Sequence, residues 1–263
     1  MNKVGLIRMA VFQTLHSSLP FVVMIGIAGL CFFSLLDHMP DVGSWPQTTS
    51  VAIMLDLLIG LAAFKKFLII FAAIPCAAGF CTDWNSRYIR FVIIRSDSRK
   101  YIWTKLVACA VVTFLVVFIG MSIFVIAAGV KIPLFFEDMT ETHLPFASFA
   151  TGIFPFAYVL AMITVFALFC SFNTTLGLMV SAFIPNRYVA VIAPMICAYF
   201  LEELTARFPA WLSFYALSHA VDVIGQGGGI SLLYYISFYC VMVFMVGLVF
   251  SRQVKRRIRD EVV

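Results

Sequence analysis

Stretches without Asp, Glu, Lys or Arg recur along this chain, separated by short polar segments. A helix needs about 20 mainly apolar residues to cross the hydrocarbon core of a bilayer. Six segments are read as spans: 19–36, 65–81, 106–128, 156–183, 188–202 and 230–250. The fifth is short and contains Pro194, where a bend is expected. Residues 1–15, mostly apolar with Lys3 and Arg8, predict a helix in the inner interface. The charge-free run that follows exceeds the roughly 7–15 residues of a signal core and no small-x-small site follows it, so the first span is read as retained.

Two segments complicate this pattern. The stretch 51–80 is apolar but holds Asp56, Lys65 and Lys66. One straight helix through it would bury a Lys pair, at about 2.5–3.5 kcal/mol each. The cheaper reading makes 51–64 a non-spanning outer segment and starts the span at the Lys pair, both ammonium groups snorkelling outward. Residues 144–186 carry no charge and are long enough for two spans. Pro145, Gly152 and Pro155 break the front of that run, and two spans would put the basic C-terminus opposite the N-terminus, so one span is read there.

Composition supports the membrane assignment: of 263 residues, 63% are hydrophobic and 12% charged. Soluble domains carry about 25% charged residues, so a soluble enzyme and a disordered chain are excluded. The expected fold is all-α, one transmembrane domain over residues 1–263. The net charge of +5 calls for no nucleic-acid partner. With both termini on the cytoplasmic side, only Lys65, Lys66, Lys131 and Arg207 of the 18 Lys and Arg fall outside. Asp83, Asp97, Asp260 and Glu261 fall inside and the other acids outside, as the positive-inside rule prefers.

Catalytic motifs are lacking. There is no HExxH or GxSxG, the four His are scattered, and the glycine run at 225–229 is followed by Ile230 and Ser231 without the Lys of a phosphate-binding loop. The seven Cys form no CxxC and lie in or beside apolar runs, which reads as packing rather than a disulfide or zinc framework. No catalytic residue, metal or cofactor is expected in this chain. Within the spans, Ser171, Asn173, Thr174 and Thr175 cluster in the fourth; interhelical packing is the default for them and substrate contact the alternative. Glu202 and Glu203 close the fifth span, as a solvated helix end or an outer gate.

The loop 83–105 between spans two and three is short, basic and aromatic. At helical spacing Trp84, Tyr88, Phe91 and Arg95 share one face, and Arg87 and Arg90 another. Such a loop can set topology and touch anionic lipid, or dock in the groove of a cytosolic partner. Its residues resemble the same region of type-2 ABC transporter permeases: Asp83 closing the second span, then Arg95-Ser96, Ser98-Arg99-Lys100-Tyr101 and Lys105. Ile184-Pro185-Asn186-Arg187-Tyr188 between spans four and five is also family-like. Asp83 stands where many members carry Glu, and Ser86 where a smaller residue, often Gly, is usual.

The resemblance implies a six-span exporter subunit in a plasma membrane of bacterial type, non-catalytic itself. It would pair with a second permease subunit and with two copies of an ABC ATPase subunit that bind ATP and Mg. Asp83, Trp84, Arg87, Tyr88, Arg90, Phe91 and Arg95 would form a cytoplasmic coupling helix. The cargo would be hydrophobic or amphipathic, a drug, lipid or antimicrobial peptide. An ion-coupled transporter or channel working alone, and a membrane scaffold, are the alternatives from other classes.

Overall fold

Regular structure among the described residues is entirely helical. The computed structural model describes residues 9–12, 14–35, 50–89, 98–135, 146, 149, 156–219 and 228–262. In chain order the helices are α1 (Ser18–Leu35), α2 (Val51–Gly60), α3 (Ala62–Ala73), α4 (Gly79–Asn85), α5 (Ser98–Gly129), α6 (Phe156–Phe183), α7 (Arg187–Thr205), α8 (Phe214–Ser218) and α9 (Gly228–Val262). Residues 9–12 and 14–15 are also helical, and a turn at His16 and Ser17 separates them from α1. Among the described residues five helices, α1, α5, α6, α7 and α9, are long and apolar enough to cross a membrane, and the chain is a multi-pass membrane protein on that ground.

The predicted second span differs from the expectation. Residues 65–81 form no single helix: α3 ends at Ala73, residues 74–78 form a turn, and α4 follows. Pro75 supplies no N–H to continue the helix. Upstream, α2 is capped by the Ser50 hydroxyl, which accepts from the Ile53 N–H, and stops at Gly60; Leu61 is extended (φ −72°, ψ 105°). The segment 51–81 is thus broken twice. α5 also starts earlier than predicted and α9 runs through the basic tail. At 32 residues, α5 is about 48 Å long at 1.5 Å per residue, more than a hydrocarbon core.

α6 is the central element. Buried side chains run along it from Tyr158 to Ala182, and it packs on α2, α3, α4, α5, α7 and α9. Small residues set the closest approaches. A Cβ on Gly177 would stand 2.6 Å from both the Ala190 carbonyl oxygen and Pro194 Cγ of α7. On Gly247 of α9 it would meet Leu106 of α5 at 2.5 Å, and on Gly120 of α5 it would meet Ile27 of α1 at 3.0 Å. Such approaches are how helices pack where lipid removes the hydrophobic drive between them. Outward faces stay apolar: Phe21, Ile25 and Phe33 of α1, Ile196 and Phe200 of α7, Phe244 and Met245 of α9 are all exposed.

The contacts give the bundle two chemically distinct ends. At one, Asp83, Tyr101 and Lys105 meet, and Arg257 of α9 donates to the Phe183 carbonyl at the end of α6. At the other, the Val51 N–H donates to the Pro133 carbonyl at 3.1 Å, beyond the end of α5, and Tyr234 of α9 donates to the Trp211 carbonyl. The α3–α4 segment runs between them, with Phe64 stacked on Phe166 of α6 and Phe80 edge-on to Phe250 of α9.

Candidate functional site

At the basic end, Asp83 is the hub. Its Oδ2 accepts from the Tyr101 hydroxyl at 2.5 Å and pairs with the Lys105 ammonium at 2.8 Å. Tyr101 and Lys105 stand four residues apart on α5 and so present to one side. This clasp ties the end of the broken α3–α4 segment to the first turns of α5. It joins three residues that the family resemblance rests on. The Asp83 side chain is 15% exposed and the Lys105 side chain 30%, so their Coulomb energy is only partly screened. Beside it Trp84 stacks on Phe80, and the Arg257 guanidinium lies 5.4 Å from the Trp84 ring centroid.

Trp84 and Tyr88, expected on one helical face, do not share one. α4 ends at Asn85, Ser86 and Arg87 form a turn, and Arg87 has φ 58°, the left-handed region. A residue there cannot continue a right-handed helix, so Trp84 and Tyr88 lie on either side of a break. Trp84 packs inward against the core, whereas Arg87 and Tyr88 are exposed. Arg90, Phe91 and Arg95 lie outside the described residues.

The polar residues of α6 are turned to their own backbone. Asn173 donates to the Phe169 carbonyl at 2.9 Å, Thr174 to Cys170 at 2.9 Å and Thr175 to Phe172 at 2.7 Å. Ser171 reaches across to the Ala110 carbonyl of α5 at 2.8 Å. All four are buried, and among the described residues Asn173 Oδ1 has no partner. This is the usual way hydroxyls are satisfied inside apolar helices.

A second polar cluster lies inside the bundle, where Phe64 and Phe214 pack on Phe166 and Phe172 in the middle of α6. Lys65 does not snorkel outward: the residue is 3% exposed. Its Nζ lies 3.0 Å from Ser218 Oγ, 3.1 Å from His219 Nε2 and 3.9 Å from Glu202 Oε1. His219 Nδ1 stands 2.7 Å from the Tyr215 carbonyl. With Nδ1 donating there, a neutral ring leaves Nε2 to accept from the ammonium. Burial pushes the His219 pKa below its ordinary value, which favours that neutral ring. Lys66 is half-buried, its Nζ 4.9 Å from the Tyr199 ring centroid. Glu203 is exposed and takes no part.

Sequence reasoning missed Lys65, Ser218 and His219 as a group. The available signal was Lys65 itself, because an ionisable residue in an apolar run is a candidate site by default. Its partners lie more than 130 residues away in sequence, and no local pattern announces them. All seven cysteines are free, and no group of three or more His, Cys, Asp or Glu able to hold a metal occurs among the described residues. Compared with known proteins, the chain matches no family model, no curated protein and no solved structure.

Proposed function

We propose that this chain is the membrane subunit of an ATP-driven exporter, working as a dimer with separate ATPase subunits to move a hydrophobic or amphipathic substrate. It crosses the membrane six times, with the broken α3–α4 segment as the second crossing beside the five long helices, and both termini are cytoplasmic. The observation that carries the reading is the Asp83–Tyr101–Lys105 clasp. A clasp at that corner makes the end of the second crossing and the start of the third move together. A push on the exposed turn at Arg87 and Tyr88 would then reach both helices at once. ATP and Mg act in the partner ATPase, whose closure supplies that push.

Among the described residues of the loop, Tyr88, 54% exposed, is the aromatic available for docking, and Trp84 is an internal support. Buried interface aromatics contribute about 2 kcal/mol or more, a factor of about 30 in affinity. Tyr88→Ala is therefore expected to weaken ATPase retention by about that factor, with thermal stability unchanged. Arg87→Gln should act less, and mainly at low salt, because exposed pairs give about 0–1 kcal/mol. Trp84→Ala should lower thermal stability. Full ATPase retention by Tyr88→Ala would contradict the docking role.

One observation favours a second reading, an ion-coupled carrier or channel working alone. Lys65 is an ionisable group buried inside the bundle beside Glu202 and His219, as such carriers require. Ion-driven flux by the chain alone in liposomes would select it.

A further inference from the structure

A cavity of about 430 Å³ opens beside the clasp, in the size range of small-ligand sites (about 300–1,000 Å³). Its two halves differ. The polar wall is the clasp: Asp83, Tyr101 and Lys105. The apolar floor comes from Pro75, Cys76, Ala108, Cys109 and Leu178. The helical residues before α1 close it, with Met9, Ala10, Thr14 and Ser17 in its lining. Thr14 and Ser17 give their hydroxyl protons to the carbonyls of Ala10 and Thr14, so those hydroxyls are engaged locally. Met9, in that lining, is 60% exposed, an apolar side chain on the open side of the cavity. The site is therefore amphipathic, charged on one wall and greasy on the floor, with an apolar approach.

We infer that this cavity holds the headgroup and first acyl carbons of a zwitterionic phospholipid of the phosphatidylethanolamine kind. The charge pattern selects the headgroup. Asp83 and Lys105 sum to zero, so a net-anionic headgroup gains little from the pair. A phosphate and an ammonium can instead be set against opposite members of it. Lys105 carries three donors and spends one on Asp83. Gly79 backs the ammonium without a side chain of its own; a Cβ there would stand 3.7 Å from Lys105 Nζ, in contact with it. Arg87 and Lys100 are exposed nearby but outside the lining, and they attract anionic lipid to the surface without selecting it. The assignment does not depend on an ATPase partner.

The full chain, purified in mild detergent, is offered equal phosphatidylethanolamine and phosphatidylglycerol and examined by native mass spectrometry. One phosphatidylethanolamine per chain should be retained in preference. A diazirine-bearing analogue should crosslink to peptides holding Cys76, Cys109 or Leu178. Lys105→Gln should weaken retention about tenfold, the effect of losing one charge-assisted bond. Because that change also opens the clasp, Ala108→Phe is the companion variant: it fills the floor, leaves the clasp and should abolish the crosslink at unchanged thermal stability. Equal retention of both lipids, or crosslinks confined to the outward faces of α1, α7 and α9, would overturn the inference. So would displacement by soluble phosphoethanolamine at equal concentration, since that places the affinity in the headgroup alone rather than in a membrane lipid.

Discussion

Gly177→Leu is expected to cost the largest loss of stability among the single changes proposed, because it strikes a helix contact whose other side is backbone and a proline ring. Even one carbon at this position would lie 2.6 Å from the Ala190 carbonyl oxygen and 2.6 Å from Pro194 Cγ. Neither neighbour can swing away: one is backbone, the other a ring closed on backbone. The helices must separate, and α6 is the element on which the others pack. Overpacking of this kind costs about 1–3 kcal/mol, occasionally more. Gly177→Ala should already destabilise, although alanine is the better helix former by about 1 kcal/mol. Gly29 provides the control, since a Cβ there meets nothing within 4 Å. Gly29→Ala should leave the melting temperature unchanged or raise it. A Gly177→Ala protein that melts with or above the parent would contradict the tight α6–α7 contact.

Glu202→Ala should destabilise more than Lys65→Met, although both remove the same ion pair. Removing Glu202 leaves an ammonium in a residue that is 3% exposed, with Ser218 and His219 as its close partners. An uncompensated buried charge costs about 3–5 kcal/mol. Here the pair is loose at 3.9 Å and the Glu202 side chain is 19% exposed, so about 2 kcal/mol is the better figure. That corresponds to about 4–8 °C for a chain of this size. Lys65→Met removes the charge itself and keeps the length of the side chain, so it should stay within about 1 kcal/mol of the parent. The double variant should melt close to Lys65→Met alone. Equal losses for the two single variants would mean that the ammonium is not held as a buried charge.

The parts of this fold that were legible in the sequence are those written in local pattern. Charge-free runs located the five long helices, since a run of apolar residues needs no distant partner to be recognised. Asn186, after Ile184-Pro185, caps α7 through its side chain, which accepts from the Tyr188 N–H, as its residue type suggests. The break at Arg87 was illegible because the i, i+4, i+7 spacing of Trp84, Tyr88 and Phe91 continues across it. Periodicity counts residues and cannot register one left-handed residue among them. Lys65 was misread for a different reason. Snorkelling is the cheap local solution for a Lys near a span end, and it loses here because α7 and α8 bring Glu202, Ser218 and His219 to the ammonium. The Asp83 clasp lay between: its members were legible as a family-like set, and their meeting at one carboxylate oxygen was not.

The exporter reading is tested most directly by the composition of the complex the chain forms in its own membranes. Gentle detergent extraction, purification through a tag on this chain and native mass spectrometry would count the subunits. Two copies of this chain with two copies of a nucleotide-hydrolysing subunit are expected, and ATP hydrolysis by that assembly but not by this chain alone. A chain that purifies without an ATPase and drives substrate flux in liposomes from an ion gradient would contradict it.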